Sequence, residues 1–158
     1  MKNKPWKNYV FWITVTVFVG FIAGLITRQG TKLYNDTVVK PPLSPPAIVF
    51  PIVWTVLYAL MGYCAARVSL AFPSKNRKNA IYVYSLQLVF NFLWSLIFFN
   101  AEAFLFAFIW LVILWGLILA TILIFRRVDR LAGNLLIPYL IWVTFALYLN
   151  FGVFLMNR

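Results

Sequence analysis

The chain has 158 residues, 64% of them hydrophobic and only 11% charged, and no water-soluble core of that length hides so much apolar side chain; soluble domains carry about 25% charged residues. A mean hydropathy of +0.89 makes lipid the solvent. The net charge of +11 is no mark of nucleic acid, because the basic residues gather at the ends of apolar runs, while the lack of histidine and the single cysteine, Cys64, exclude a His or Cys metal cluster, a Ser-His-Asp triad and a histidine-ligated haem.

Apolar runs of about 20 residues read as bilayer spans. They predict an all-α integral membrane protein, a five-transmembrane-helix bundle built as one domain over 1–158, with helices at 9–27, 48–66, 81–99, 104–125 and 135–156. The first run is span-length and no clear small-residue cleavage site follows it, so it is expected to stay as helix one. Within it Gly20 and Gly24 form a GxxxG pattern extended by Thr16, suited equally to packing inside the bundle or against a second copy. Trp6, Tyr9 and Trp12 suit an interfacial anchor.

The connection 28–45 is longer than the others and occupies the place of a lid. Pro41, Pro42, Pro45 and Pro46 are expected to hold a stiff, extended approach to a helix beginning near Pro46. Pro51, one turn inside, is expected to kink that helix where Trp54 and Tyr58 follow on one face, leaving an aromatic-lined hollow. Cys64, further along, reads as a buried small apolar residue. On the third span Gln87 and Asn91 are four apart and Trp94 and Ser95 continue their face; on the fifth, after Pro138, come Tyr139, Trp142, Ala146 and Asn150. Lipid cannot satisfy these amides and indoles, so the two stripes face protein, water or ligand. Both an interhelical hydrogen-bond clamp and a binding site fit that pattern.

The carboxylates are Asp36, Glu102 and Asp129, all in or beside connections, so neither an intramembrane proton relay nor paired-carboxylate catalysis is supported. Lys2, Lys4, Lys7, Arg67, Lys75, Arg77, Lys78, Arg126, Arg127 and Arg130 share one side of the five-span arrangement, against Arg28, Lys32, Lys40 and Arg158 on the other. The excess of basic residues puts the N-terminus in the cytoplasm and the C-terminus and proline-rich loop outside, with the lipid bilayer, its anionic lipids included, as partner.

Three stretches in order, KPPLSPPAIVFPIVWTVLYALMGY, QLVFNFLWSLIFF and PYLIWVTFALYLN, resemble the TspO/MBR family, which comprises translocator proteins, formerly called peripheral benzodiazepine receptors, and bacterial tryptophan-rich sensory proteins. The resemblance runs from Tyr34 to Asn150 and implies a bundle, often a homodimer, that binds porphyrins such as protoporphyrin IX and other hydrophobic ligands under the first loop, in a sensing, regulatory or porphyrin-handling role. It implies ligand-binding positions at Pro45, Pro46, Trp54 and Tyr58, at Gln87, Asn91 and Trp94, and at Trp142, Phe145, Ala146 and Asn150, with Tyr34 as the loop tyrosine covering the ligand. Trp54 and Trp142 resemble the tryptophan pair linked in bacterial members to light-dependent protoporphyrin breakdown, so a photo-oxidative enzyme with those two as catalytic residues stands beside binding, as does a transporter of porphyrins or small hydrophobic solutes. No cofactor is required, and the lack of a histidine ligand for iron favours metal-free porphyrin. The bacterial members suggest a bacterial cell membrane. Leu43 stands where many relatives have a tryptophan, Trp110 where some have an acid, and Phe151 where animal members have the tyrosine of a cholesterol motif, so sterol recognition there is unsupported.

Overall fold

A computed structural model describes residues 4–158; Lys2 of the basic cluster lies outside the described residues. The elements are α1 (Pro5–Ile26), α2 (Arg28–Thr37), α3 (Val49–Leu70), α4 (Lys75–Ser95) running on into a π-helical turn (Leu96–Asn100), α5 (Phe104–Val128), α6 (Arg130–Leu135) and α7 (Ile137–Met156). Five helical stretches are long and apolar enough to cross a membrane: Pro5–Ile26, Val49–Leu70, Lys75–Asn100, Phe104–Val128 and Arg130–Met156. The fold is thus all-helical, with the five spans expected.

Helix ends reach beyond the apolar runs because hydropathy marks where lipid ends, not where hydrogen bonding ends. Ser74 caps α4 by accepting the Arg77 N–H at 3.1 Å, so the polar turn from Lys75 is helical well before the apolar run begins. Pro5 starts α1 as its first helical residue, where the missing N–H costs nothing. Asp129 caps α6 through the Leu131 and Ala132 amides and pairs with Arg67 of α3 at 2.8 Å, tying the short connection after α5 to a neighbouring span.

α1 packs on α3, α4 on α5, and α5 on α7, while α3 and α7 hardly approach one another through their backbones. The α1 and α3 contact depends on Gly62, where an added Cβ would lie 2.5 Å from the Ile13 Cα and 2.7 Å from the Trp12 carbonyl oxygen. Gly20 also works inside the bundle, seated against the Tyr58 ring, whereas around Gly24 nothing among the described residues lies within 4 Å of an added Cβ. Cys64 is buried.

Three expectations about the first connection are corrected. It contains a helix, α2, laid across the bundle end. The prolines make a turn in place of a straight approach: the Ser44 N–H and hydroxyl both donate to the Pro41 carbonyl, at 3.4 and 2.7 Å, around a left-handed Leu43 with φ of 68°. Helix α3 begins at Val49, close to the expected start at 48, which puts Pro51 in the first turn and corrects the expected kink. An N–H there has no intrahelical acceptor anyway, so Pro51 removes no helical bond and gives no cause for a kink; its carbonyl accepts the Thr55 hydroxyl at 2.7 Å.

Candidate ligand site

The amides of α4 meet tyrosines of α3 and α7 in a directed chain. Tyr58 donates to Asn91 Oδ1 at 2.6 Å, Asn91 Nδ2 donates to the Tyr139 oxygen at 2.7 Å, and Tyr139 donates to Gln87 Oε1 at 2.9 Å. Gln87 Nε2 ends the chain 3.8 Å from the Met61 sulfur. All four hydrogen-bonding residues are buried. A second pair joins the same helices nearer the cap: Trp94 Nε1 donates to Asn150 Oδ1 at 3.1 Å, and Asn150 Nδ2 donates to the Phe104 carbonyl at 2.8 Å. The amides of the two polar stripes therefore face protein and bond to side chains and backbone of neighbouring helices.

Around this chain lie two groups of aromatic rings. Trp54 sits with ring centroids 5.7 Å from Tyr58, 6.2 Å from Trp94 and 6.3 Å from Tyr139. Trp142, on α7, lies 6.0 Å from Phe50 of α3 and 5.6 Å from Phe145. These rings bridge the seam where the α3 and α7 backbones stand apart. The buried Trp142 indole N–H finds no acceptor among the described residues. Ala146 is buried one turn from Trp142, while Phe145 leads outward to Tyr148 at 6.2 Å.

The cap reaches the first of these groups through Tyr34. Its ring packs 5.3 Å from Phe98 and 5.4 Å from Phe99, and Phe98 stacks 5.4 Å from Trp94. The Lys40 ammonium lies 5.1 Å over the Tyr34 ring from outside. Burial raises the Tyr34 phenol above its ordinary value of 10.0. A raised folded-state value means that the contribution is complete below about pH 10 and is lost as the pH climbs through the folded value. The difference in melting temperature between wild type and Tyr34→Phe is therefore expected to stay flat up to about pH 10 and fall above it; a flat difference to pH 12 would refute the buried seat.

Tyr58, Gln87, Asn91, Trp94, Trp54 and Asn150 are thus brought into one cluster, with Trp142, Phe145 and Ala146 along its α7 edge. Pro45 is half-buried and Pro46 exposed, both on the strap leading into α3. Beside Trp54 and Tyr58 the neighbouring rings pack at centroid distances of 5.7, 6.2 and 6.3 Å, and Trp54 itself is half-buried. Two open hollows lie elsewhere, one of about 310 Å³ between Pro41, Pro42 and the end of α7, the other of about 220 Å³ beside Arg67 and Asp129. Sequence reasoning passed over Phe50, although its spacing of four from Trp54 was a signal, and it read Tyr139 as one member of a stripe where it is the hub of the amide chain. Trp110 is spent on packing, its ring stacked 4.4 Å from Phe90 and its N–H donating to the Phe90 carbonyl at 2.9 Å.

Five apolar spans around a cross-helix core of tyrosines, amides and indoles, closed at one end by a helical cap, define a multi-pass integral membrane protein with its candidate site inside the bundle. Residues 12–156 match the TspO/MBR family, and the chain belongs to that family. It is 38% identical to the tryptophan-rich protein TspO of Chlorobaculum tepidum over 98% of this chain and 99% of that protein. It is 38% identical to the tryptophan-rich sensory protein of Cereibacter sphaeroides, covering 89% and 91% of the two chains, and 32% identical to the translocator protein of Ovis aries, covering 98% and 92%.

Proposed function

We propose that the protein binds protoporphyrin IX and other flat hydrophobic molecules at the aromatic cluster between α3, α4 and α7, in a sensing, regulatory or porphyrin-handling role. The observation that carries this reading is Trp142: an indole whose buried N–H finds no acceptor among the described residues, set against Phe50 across a seam where the α3 and α7 backbones stand apart. A conjugated ring inserted there gains stacking and apolar burial at roughly 25 cal/mol per Å² before ordering costs. The indole N–H offers a donor to a carboxylate or other polar edge that the engaged amides do not. A flat ligand entering between rings whose centroids stand 5.7 to 6.3 Å apart requires side chains at the seam or under the cap to move.

The same proposal includes a bacterial cell membrane as the location, an N-terminus in the cytoplasm with the cap outside, and a homodimer as the assembly. Absorbance titration of purified protein is expected to give saturable protoporphyrin binding that Trp142→Ala weakens about tenfold. Trp110→Ala, on a ring outside the cluster, should leave the affinity within about twofold. Equal affinity in wild type and Trp142→Ala would remove α7 from the site. A second reading, light-dependent porphyrin breakdown at Trp54 and Trp142, is favoured by Trp54 lying against oxidisable Trp94 and Tyr139. Mass spectrometry of illuminated complexes with Trp54→Phe and Trp142→Phe separates turnover from bleaching.

A further inference from the structure

Beyond the cluster, α7 grips the strap between the cap helix and α3 at successive points. Tyr148 donates its hydroxyl to the Pro42 carbonyl at 2.7 Å. Gly152 lies under the Pro41 ring, where an added Cβ would come within 2.5 Å of one ring carbon and 2.7 Å of another. Asn157, capping the end of α7, pairs with both polar groups of the Val39 backbone: its Oδ1 accepts the N–H at 3.0 Å and its Nδ2 donates to the C=O at 2.8 Å. As α7 advances from 148 through 152 to 157, the strap recedes from 42 through 41 to 39, so helix and strap run antiparallel in register. The last contact imitates a paired strand with one side chain, across 118 residues of sequence.

Burial does not demand this pairing. Val39 is 55% exposed, and water would satisfy its backbone equally well. The same Asn157 Nδ2 also donates to the Val153 carbonyl at 2.8 Å, which holds the side-chain amide in the orientation the strap needs. The other end of the cap is seated separately, through Tyr34 against Phe98 and Phe99. The cap is therefore a bridge with one foot on the π turn after α4 and the other on the end of α7.

We propose that Asn157 is a latch: a positioning residue that touches no ligand but, by pinning Val39, sets how often the cap opens and so how fast the ligand at the underlying cluster exchanges. This rests on the binding function proposed above. Two exposed hydrogen bonds make a weak, reversible fastening, suited to a gate and of little consequence for overall stability. The latch touches no ligand atom and so acts on free and bound protein alike; releasing it speeds capture and escape together and leaves the equilibrium affinity nearly unchanged.

Stopped-flow measurement with protoporphyrin IX on the full chain is expected to show both rate constants rising roughly fivefold in Asn157→Ala, with Kd moving less than about twofold and the melting temperature held. Asn157→Asp keeps the acceptor but sets a carboxylate against the Val39 carbonyl, and should be at least as fast as the alanine variant. Hydrogen exchange at the Val39 amide of ligand-free protein tests the latch without any porphyrin: protection in wild type and its loss in Asn157→Ala are the expected result. Unchanged protection overturns the latch, and lost protection with unchanged rates overturns the gating. No saturable porphyrin binding by wild type would instead defeat the proposed function, a failure the exchange measurement distinguishes from the others.

Discussion

Asn91→Ala is expected to destabilise the bundle by about 2 kcal/mol, among the largest losses available to one side chain of this size. Asn91 is 1% exposed and, among the described residues, is the only one bonded to both Tyr58 of α3 and Tyr139 of α7, at 2.6 and 2.7 Å. Removing it leaves the Tyr58 hydroxyl without its acceptor in a region where no water competes. Tyr139 loses one partner but still donates to Gln87, which limits the damage on that side. Tyr58→Phe alone should cost about 1 kcal/mol, and the double variant less than the sum, because the orphaned hydroxyl is then absent. Reversible unfolding in mixed micelles measures all three. Strict additivity would show that the chain of bonds is not a coupled unit.

The same residue shows how far the sequence can be read. That Gln87, Asn91 and Asn150 face inward is legible, since a carboxamide in lipid has nowhere to bond. Which partner each finds depends on the rotation of three helices about their axes, and Asn91 finds two tyrosines where a ligand was equally compatible with the spacing. Whether the rings of Trp54 and Tyr58 enclose space or fill it is likewise decided across the helices, not along one. Span number follows from apolar run length. Span ends do not, because Ser74 and Pro5 begin helices in polar sequence where the apolar period gives no signal. Helix α2, with Arg28, Lys32 and Asp36 among its residues, is likewise invisible to hydropathy and is held by docking on the π turn.

That docking makes Gly30→Ala the second large effect. In an unconstrained helix, glycine to alanine is worth a gain of up to about 1 kcal/mol. Gly30 is buried, and a Cβ there would stand 2.6 Å from Asn100 Oδ1 and 2.7 Å from the Phe99 carbonyl carbon, with the Phe99 oxygen closer still. Asn100 could swing away, but the Phe99 carbonyl belongs to the backbone of the π turn and cannot yield without moving the turn itself. The substitution should therefore reverse sign and cost the docked cap more than about 2 kcal/mol, lifting α2 and pulling Tyr34 from between Phe98 and Phe99. Gly24→Ala is the matched control, since nothing among the described residues lies within 4 Å of its added Cβ, and it should be neutral or stabilising. Amide exchange across residues 28–37 reads the result directly: fast exchange in Gly30→Ala with the spans still protected is expected, and wild-type protection would mean that the cap is not seated on this glycine. Because the spans stay folded, protoporphyrin should still reach the cluster of the Gly30→Ala protein, but leave it more than tenfold faster than from wild type, which ties the close approach at one glycine to the residence of a ligand it never touches.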